Sequence, residues 1–363
     1  MIKKLRVNLK ERSYDIIIGK NILNRLGTEL KRLKIGQDAI IITNSFLKKK
    51  FSSCLIKILK EKGFRVNILI VPDSEKAKSA ETVLDLVNNI SAIDKSKNPF
   101  IIALGCGVVG DVSGFAASIY KRGIPYVQVP TTFLAQVDSS IGGKTAVNLA
   151  DGKNLMGAFY QPRLVLCDIG YLSSLSKREL VAGLAEAIKY GIIDNEELFE
   201  YIEKNIVGIL SFKAEHLYRV VYECVKIKAD IVSRDERETK SIRTFLNLGH
   251  TIGHAIEACA GYGVIRHGEA VAVGILCACD IAQDLSFFTK ENKDRVESLV
   301  KSAGLATRVK GLNVKKVLKA HYKDKKFIGK LNRFVLPVAI GKVIVKKNVP
   351  LKLIEKTVKE RLI

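Results

Sequence analysis

Short apolar runs rich in β-branched residues recur at 39–43, 66–71, 100–104, 126–129 and 164–167, separated by helical or glycine-rich stretches. Runs that are apolar on both faces suit strands buried in a parallel sheet, and the stretches between them suit crossovers. This alternation predicts a doubly wound, Rossmann-like α/β domain over residues 1–175. Beyond about Ser176 the period changes. Residues 177–190, 195–209, 214–233, 252–260, 270–285 and 290–303 carry apolar positions at helix spacing, with few strand signals until 334–345. Residues 176–363 are therefore expected to form a mainly α-helical domain. No internal repeat or long linker separates the halves, which are expected to pack closely with a cleft between them.

Composition narrows the classes of function. The 363 residues suffice for two domains of ordinary size. Seven cysteines, an odd count with no C-x-x-C pair, argue against a disulfide framework or a cysteine zinc site and fit a reducing cytoplasm. The uncharged stretches are broken by Asp111, Glu269 or Asp280 before a bilayer is spanned, so a soluble cytoplasmic protein without membrane association is expected. A net charge of +23 raises nucleic-acid binding. The lysines are nevertheless spread along the chain, and there is neither tryptophan nor a run of interleaved aromatics to stack bases. A solvated basic surface with no nucleic-acid partner is the simpler reading.

Three motifs carry chemistry. Gly105-Cys106-Gly107-Val108-Val109-Gly110 has the form G-x-G-x-x-G, follows the run 100–104 and opens a potential helix, so its backbone amides could meet a pyrophosphate. It is not at a first β-α turn and lacks an acid about twenty residues downstream, so a ligand-free tight turn explains it equally. Three of the five histidines, His250, His254 and His267, lie close in sequence. His250 and His254 stand one helical turn apart without the glutamate of H-E-x-x-H; His267 could fold back, and Glu186 could add a carboxylate. Core or surface roles for the helix pair compete with metal binding. The polar, glycine-rich segment from Gln136 to Asn154 reads as a loop whose Lys144, Lys153 and Asn154 suit phosphate and hydroxyl groups.

Taken in order, these runs resemble the 3-dehydroquinate synthase family over nearly the whole chain. The resemblance rests on Asp73 to Lys78, the glycine turn, Pro130-Thr131-Thr132, Gly142-Gly143-Lys144, Ala185-Glu186-Ala187-Ile188-Lys189-Tyr190-Gly191, Asp235 to Glu238, the histidine cluster, and Asp324-Lys325-Lys326. It implies conversion of 3-deoxy-D-arabino-heptulosonate 7-phosphate to 3-dehydroquinate, with NAD and zinc, or cobalt, as cofactors and a homodimeric assembly. By this resemblance Glu186, His250 and His267 are the metal ligands, and His254 is a catalytic or phosphate-facing residue. NAD is implied at Asp73, Glu75, Lys78, Gly107, Val108, Val109, Gly110, Asp111, Thr131, Thr132, Lys144, Lys153, Tyr171 and Ser174. Substrate contacts are implied at Arg122, Asp138, Asn154, Lys228 and Lys326. Catalytic roles are implied for Lys144, Lys189, Glu238, Arg243, Asn247 and His254. The same fold is shared by inosose- and valiolone-forming cyclases and, more distantly, by metal-dependent polyol dehydrogenases. Four positions depart from the family pattern: Cys106 for a glycine, Asn44 for an acid, Ser173 for a lysine, and a segment from Thr239 to Arg243 one residue longer than usual.

Overall fold

Residues 2–95, 98–150, 152–261, 264–323 and 332–363 are described by the structure, a computed structural model. They divide into two units: the residues up to Leu175 together with Leu217–Ser233, and Ser176–His216 together with the residues from Arg234 onward.

In the first unit, β1 (Ile2–Val7), β2 (Tyr14–Gly19), β3 (Asp38–Thr43), β4 (Arg65–Ile70), β5 (Pro99–Gly105), β6 (Tyr126–Pro130) and β9 (Leu164–Asp168) form one sheet in the order β1-β2-β9-β6-β5-β3-β4. Every pairing is parallel except β1 with β2. Strands β2, β5, β6 and β9 are buried along their whole length, as strands covered on both faces must be. Period two then divides β5 between two cores: Phe100, Ile102 and Leu104 pack on one face, Ile101 and Ala103 on the other. The expected doubly wound α/β architecture is what forms.

The stretch read from sequence as a loop, 136–154, is instead largely ordered. It comprises a π-helical turn, Ala135–Ser139, and an antiparallel hairpin of β7 (Lys144–Leu149) and β8 (Gly152–Phe159). Gly142 and Gly143, at φ 95° and 66°, supply the left-handed turn that leads into β7. The strands are only half buried, and lysine, asparagine and glycine are interspersed among their apolar residues, which interrupts the signal by which a strand is read.

The second unit contains the helices Lys177–Asp194, Glu196–Leu210, His250–Ala260, His267–Asp284, Lys290–Ser302, Val314–Lys323 and Leu351–Arg361, with an antiparallel pair of β10 (Arg333–Ala339) and β11 (Lys342–Lys347). Ser176, Asn195 and Thr289 cap their helices by accepting the amide three residues on. Two helices lie at its centre: residues 180–193 of Lys177–Asp194 are buried without interruption, as is nearly all of His267–Asp284. Their approach depends on an absent side chain, since a Cβ on Gly268 would stand 1.7 Å from the Ala182 carbonyl oxygen. Gly274 likewise admits the start of the helix His250–Ala260: a Cβ there would stand 1.9 Å from the Gly249 carbonyl oxygen. The second unit is mainly helical, as expected. Among the described residues, no helix is long and apolar enough to cross a membrane.

Candidate functional site

In the first unit the glycine turn ends β5 and opens the helix Gly107–Ile119. Cys106 is its N-cap at φ −75°, a conformation open to any residue, so the departure from glycine there strains nothing. Gly105 and Gly110 are required by space: a Cβ at Gly105 would meet the Val109 side chain at 2.6 Å, and one at Gly110 the Gln128 amide at 2.8 Å. Val109 is core, whereas Gly107 and Val108 are partly exposed at the helix N-terminus, where the leading amides and the helix dipole favour an anion. Thr131 and Thr132 follow the neighbouring strand; the Thr131 amide donates to the Gly105 carbonyl at 2.9 Å.

A polar network lies in the same unit. Lys78, 7% exposed, donates to Asp111 Oδ2 at 2.6 Å and to Asn154 Oδ1. Burial disfavours its ammonium, but the charge and hydrogen bond of Asp111 outweigh burial and hold its pKa above the usual lysine value. Asn148 donates to Glu75 Oε1 at 3.1 Å and accepts from the Asn154 amide at 3.0 Å, and Lys153 lies 3.6 Å from Glu75. The hairpin is thus tied to the segment that carries Asp73, Glu75 and Lys78. Asn44 caps the turn after β3 through its Oδ1 and donates from Nδ2 to Asp73 Oδ1 at 2.6 Å, so the amide orients the acid beside it.

Lys228, on the helix Ala214–Arg234, donates to both the carbonyl and the carboxylate of Asp138 at 2.8 Å. Lys144 is exposed at the start of β7. Arg122 is exposed within three consecutive positive-φ residues, Lys121, Arg122 and Gly123. Two implied cofactor residues have other engagements: Tyr171 is core, edge-on to Phe51 at 4.7 Å between ring centroids, and the Ser174 hydroxyl donates to the Tyr171 carbonyl at 2.8 Å.

In the second unit, Glu186, His250 and His267 converge. The Nε2 atoms of His250 and His267 lie 3.4 and 3.3 Å from Glu186 Oε1. Tetrahedral zinc bonds of about 2.0–2.1 Å place ligand atoms about 3.3 Å apart, so the spacing is that of a metal site before any ion enters. The other ring nitrogens are engaged: His250 Nδ1 lies 3.0 Å from the Leu248 carbonyl and His267 Nδ1 3.1 Å from Glu257 Oε2. Those contacts turn both Nε2 atoms toward the carboxylate. Burial pushes His250 well below the usual histidine range. Burial also disfavours the charged form of His267, but hydrogen bonds and charge from Glu186 and Glu257 overcome it and raise His267 to about 10. Lys189, one turn along from Glu186, forms a buried ion pair with it. His254 is exposed, with its ring 5.2 Å from that of His250. The rings of His254 and His267 stand almost equally near that of His250, at 5.2 and 5.3 Å, but it is His267 that shares Glu186 with His250 in one ligand group.

Arg243 and Asn247 bound a short helical turn just before His250. Arg243 is 2% exposed and donates from Nη1 to the Glu236 carbonyl, with Glu238 at 3.9 Å. Asp235 organises the segment that follows it by accepting amides of Thr239, Lys240, Ile242 and Arg243; burial acts against its charge, but these donors hold its pKa below the usual value. Glu238 and Ser241 adopt left-handed turns in this segment, φ 59° and 62°. Lys326, like Lys325, lies outside the described residues. Sequence reading missed Glu257 and Asn148. Glu257 follows His250 by seven positions, two helical turns, and so shares its face.

A doubly wound unit with a glycine turn at a helix N-terminus, and a helical unit holding two imidazoles and a carboxylate at ligand spacing, define a class of two-unit α/β and helical proteins. The chain belongs to the 3-dehydroquinate synthase family. It matches the family's N-terminal model over 68–182 and its C-terminal model over 183–327. A 3-dehydroquinate synthase of Desulforamulus reducens is 43% identical over 349 residues, 95% of this chain and 96% of that one. Among solved structures, a 2-deoxy-scyllo-inosose synthase complexed with carbaglucose-6-phosphate, NAD+ and Co2+ superposes with TM-score 0.90 at 28% identity, covering 99% of this chain and 100% of the other. A 2-epi-5-epi-valiolone synthase from Streptomyces hygroscopicus with NAD+ and Zn2+ bound gives 0.88 at 25%, covering 97% and 98%.

Proposed function

We propose that the chain converts 3-deoxy-D-arabino-heptulosonate 7-phosphate into 3-dehydroquinate and phosphate, in the shikimate route to aromatic amino acids, with NAD and a divalent metal. The observation that carries this reading is the Glu186–His250–His267 cluster at ligand spacing in a chain of this family. When bound, NAD takes up and returns one hydride and the metal polarises a substrate hydroxyl, so that phosphate leaves beside a transient ketone and the ring closes without net oxidation.

The chain's own residues supply the rest. Glu186, His250 and His267 hold the metal, for which zinc is the proposal and cobalt suits the same donors. The amides at Gly107 and Val108 face the cofactor's pyrophosphate, with Lys78 and Asp111 fixing the surrounding network. Val109 and Gly110 shape the backbone there from within the core, and Asp73, Glu75, Thr131, Thr132, Lys153, Tyr171 and Ser174 complete the cofactor's surroundings. Lys144, Asn154, Lys228, Asp138 and Arg122 bind and orient substrate. Arg243 and Asn247 recognise its carboxylate and hydroxyls, since a planar guanidinium grips a carboxylate with two parallel bonds. Lys189, Glu238 and His254 are assigned to proton transfer and phosphate contact, and the exposure of His254 supports its share of that role.

The inosose- and valiolone-forming cyclases handle substrates without a carboxylate, so a substrate panel separates the readings. Turnover of the heptulosonate phosphate, with none of glucose 6-phosphate or sedoheptulose 7-phosphate, is expected; the reverse preference overturns the assignment. The proposal includes a homodimer in which Arg122, exposed on its left-handed turn, serves the neighbouring subunit. Mixing inactive Arg122→Ala and Lys144→Ala chains should then restore partial turnover. Confirmed subunit exchange without recovery would place Arg122 in its own subunit.

A further inference from the structure

Two groups of ligand-type side chains share one imidazole. His267 belongs with Glu186 and His250, and also with His254 and Glu257, and in each group the ligand atoms lie within 4.8 Å of one another. Which group takes the ion depends on which His267 nitrogen offers a lone pair, because a neutral imidazole carries its proton on one nitrogen only.

We infer that Glu257 is a positioning residue that holds the Nδ1 proton of His267, commits Nε2 to the Glu186 cluster and thereby closes the overlapping group to metal. The inference rests on the assignment of Glu186, His250 and His267 as the metal site. Glu257 is 3% exposed and its Oε2 lies 3.1 Å from His267 Nδ1, while Nε2 lies 3.3 Å from Glu186 Oε1. The carboxylate reaches this point because it lies two turns after His250 on the helix His250–Ala260, so one face carries both a ligand and the group that orients the other ligand. Gly268 fixes the His267 backbone against Ala182, but a ring can still turn about its side-chain bonds, and Glu257 fixes that remaining freedom. Carboxylate partners of ligating histidines typically change metal affinity by about 10–100-fold.

The test titrates cobalt(II) alone into the metal-stripped full chain, read by chelator competition and by ligand-field absorption, for the wild type, Glu257→Ala, Glu257→Gln and Glu186→Ala. Expected are a 10–100-fold weaker affinity and an altered cobalt spectrum in Glu257→Ala. An intermediate loss is expected in Glu257→Gln, whose oxygen still accepts the Nδ1 proton without the charge. Metal-free melting serves as the control; if Glu257→Ala does not melt cooperatively, Glu257→Gln, equal in volume, decides. Wild-type affinity and spectrum in the Glu257 variants, with binding lost in Glu186→Ala, overturn the positioning role and leave the metal assignment standing. Retained binding in Glu186→Ala with loss in Glu257→Ala instead puts the ion in the second group and overturns both.

Discussion

Gly268 is packed so closely on Ala182 that a Cβ at the glycine would stand 1.7 Å from the alanine's carbonyl oxygen. The contact joins the two central helices of the second unit next to His267 and one helical turn before Glu186, and so sets how closely the imidazole and carboxylate approach. Backbone oxygen cannot rotate aside as a side chain would. Gly268→Ala should therefore destabilise the protein by about 3 kcal/mol or more and abolish metal binding in any folded remainder. Thermal melts with metal titration check this; a stable variant with wild-type metal affinity would show that the helices can separate freely.

The ligand set makes a sharper forecast. Replacing Glu186, His250 or His267 by alanine should release the metal and end turnover, while His254→Ala should keep the metal and lose activity. Metal analysis of the purified variants decides it. Zinc retained in His267→Ala but lost in His254→Ala would identify the i, i+4 histidines as the ligands.

Acidity at the cluster gives a pH dependence. In the metal-free chain His267 is raised to about 10, whereas burial keeps His250 neutral well below its usual range. A metal must displace the His267 proton, so affinity should rise as pH rises toward about 10, by roughly tenfold per unit, with one proton released per ion. Stability runs the other way without metal. A raised folded-state pKa means that the stabilisation is complete below the unfolded value of 6.5 and is lost as pH climbs through about 10. Calorimetry in buffers of different protonation enthalpy measures the proton; a pH-independent affinity with no proton released contradicts the assignment.

Cofactor placement is tested at Gly107. A Cβ there would come within 2.9 Å of Ser139 Oγ and would face the amides that open the helix Gly107–Ile119. Gly107→Val should weaken NAD at least tenfold, roughly 1.4 kcal/mol, with the fold intact. Unchanged calorimetric affinity in a folded variant would move the pyrophosphate elsewhere.

Legibility in the sequence followed burial. Strand 100–104 was plain because both faces of β5 are covered, and a run such as Phe100 to Leu104 has few other uses. The β7–β8 hairpin was hidden because polar residues from Lys144 to Asn154 interrupt its alternation. Periodicity marked 214–233 as a helix, yet an apolar face does not say what it packs against, and Leu217–Ser233 clusters with the first unit. At the site, residue type exposed the histidines, but their local spacing favoured His250 with His254. Tertiary packing of Gly268 on Ala182 brings His267 to Glu186, and packing of Gly274 on Gly249 brings the start of the helix His250–Ala260 against the His267 helix, neither of which local spacing reveals. Glu257 looked like one more helix acid until its distance to His267 was known.

Phosphate release from 3-deoxy-D-arabino-heptulosonate 7-phosphate, followed together with nicotinamide absorbance at limiting NAD and saturating metal, reports directly on whether a hydride leaves and returns. The predicted result is many phosphates and an equal amount of 3-dehydroquinate per NAD, with no accumulating NADH. NADH rising in step with substrate consumed, without phosphate, would contradict it and describe a polyol dehydrogenase instead.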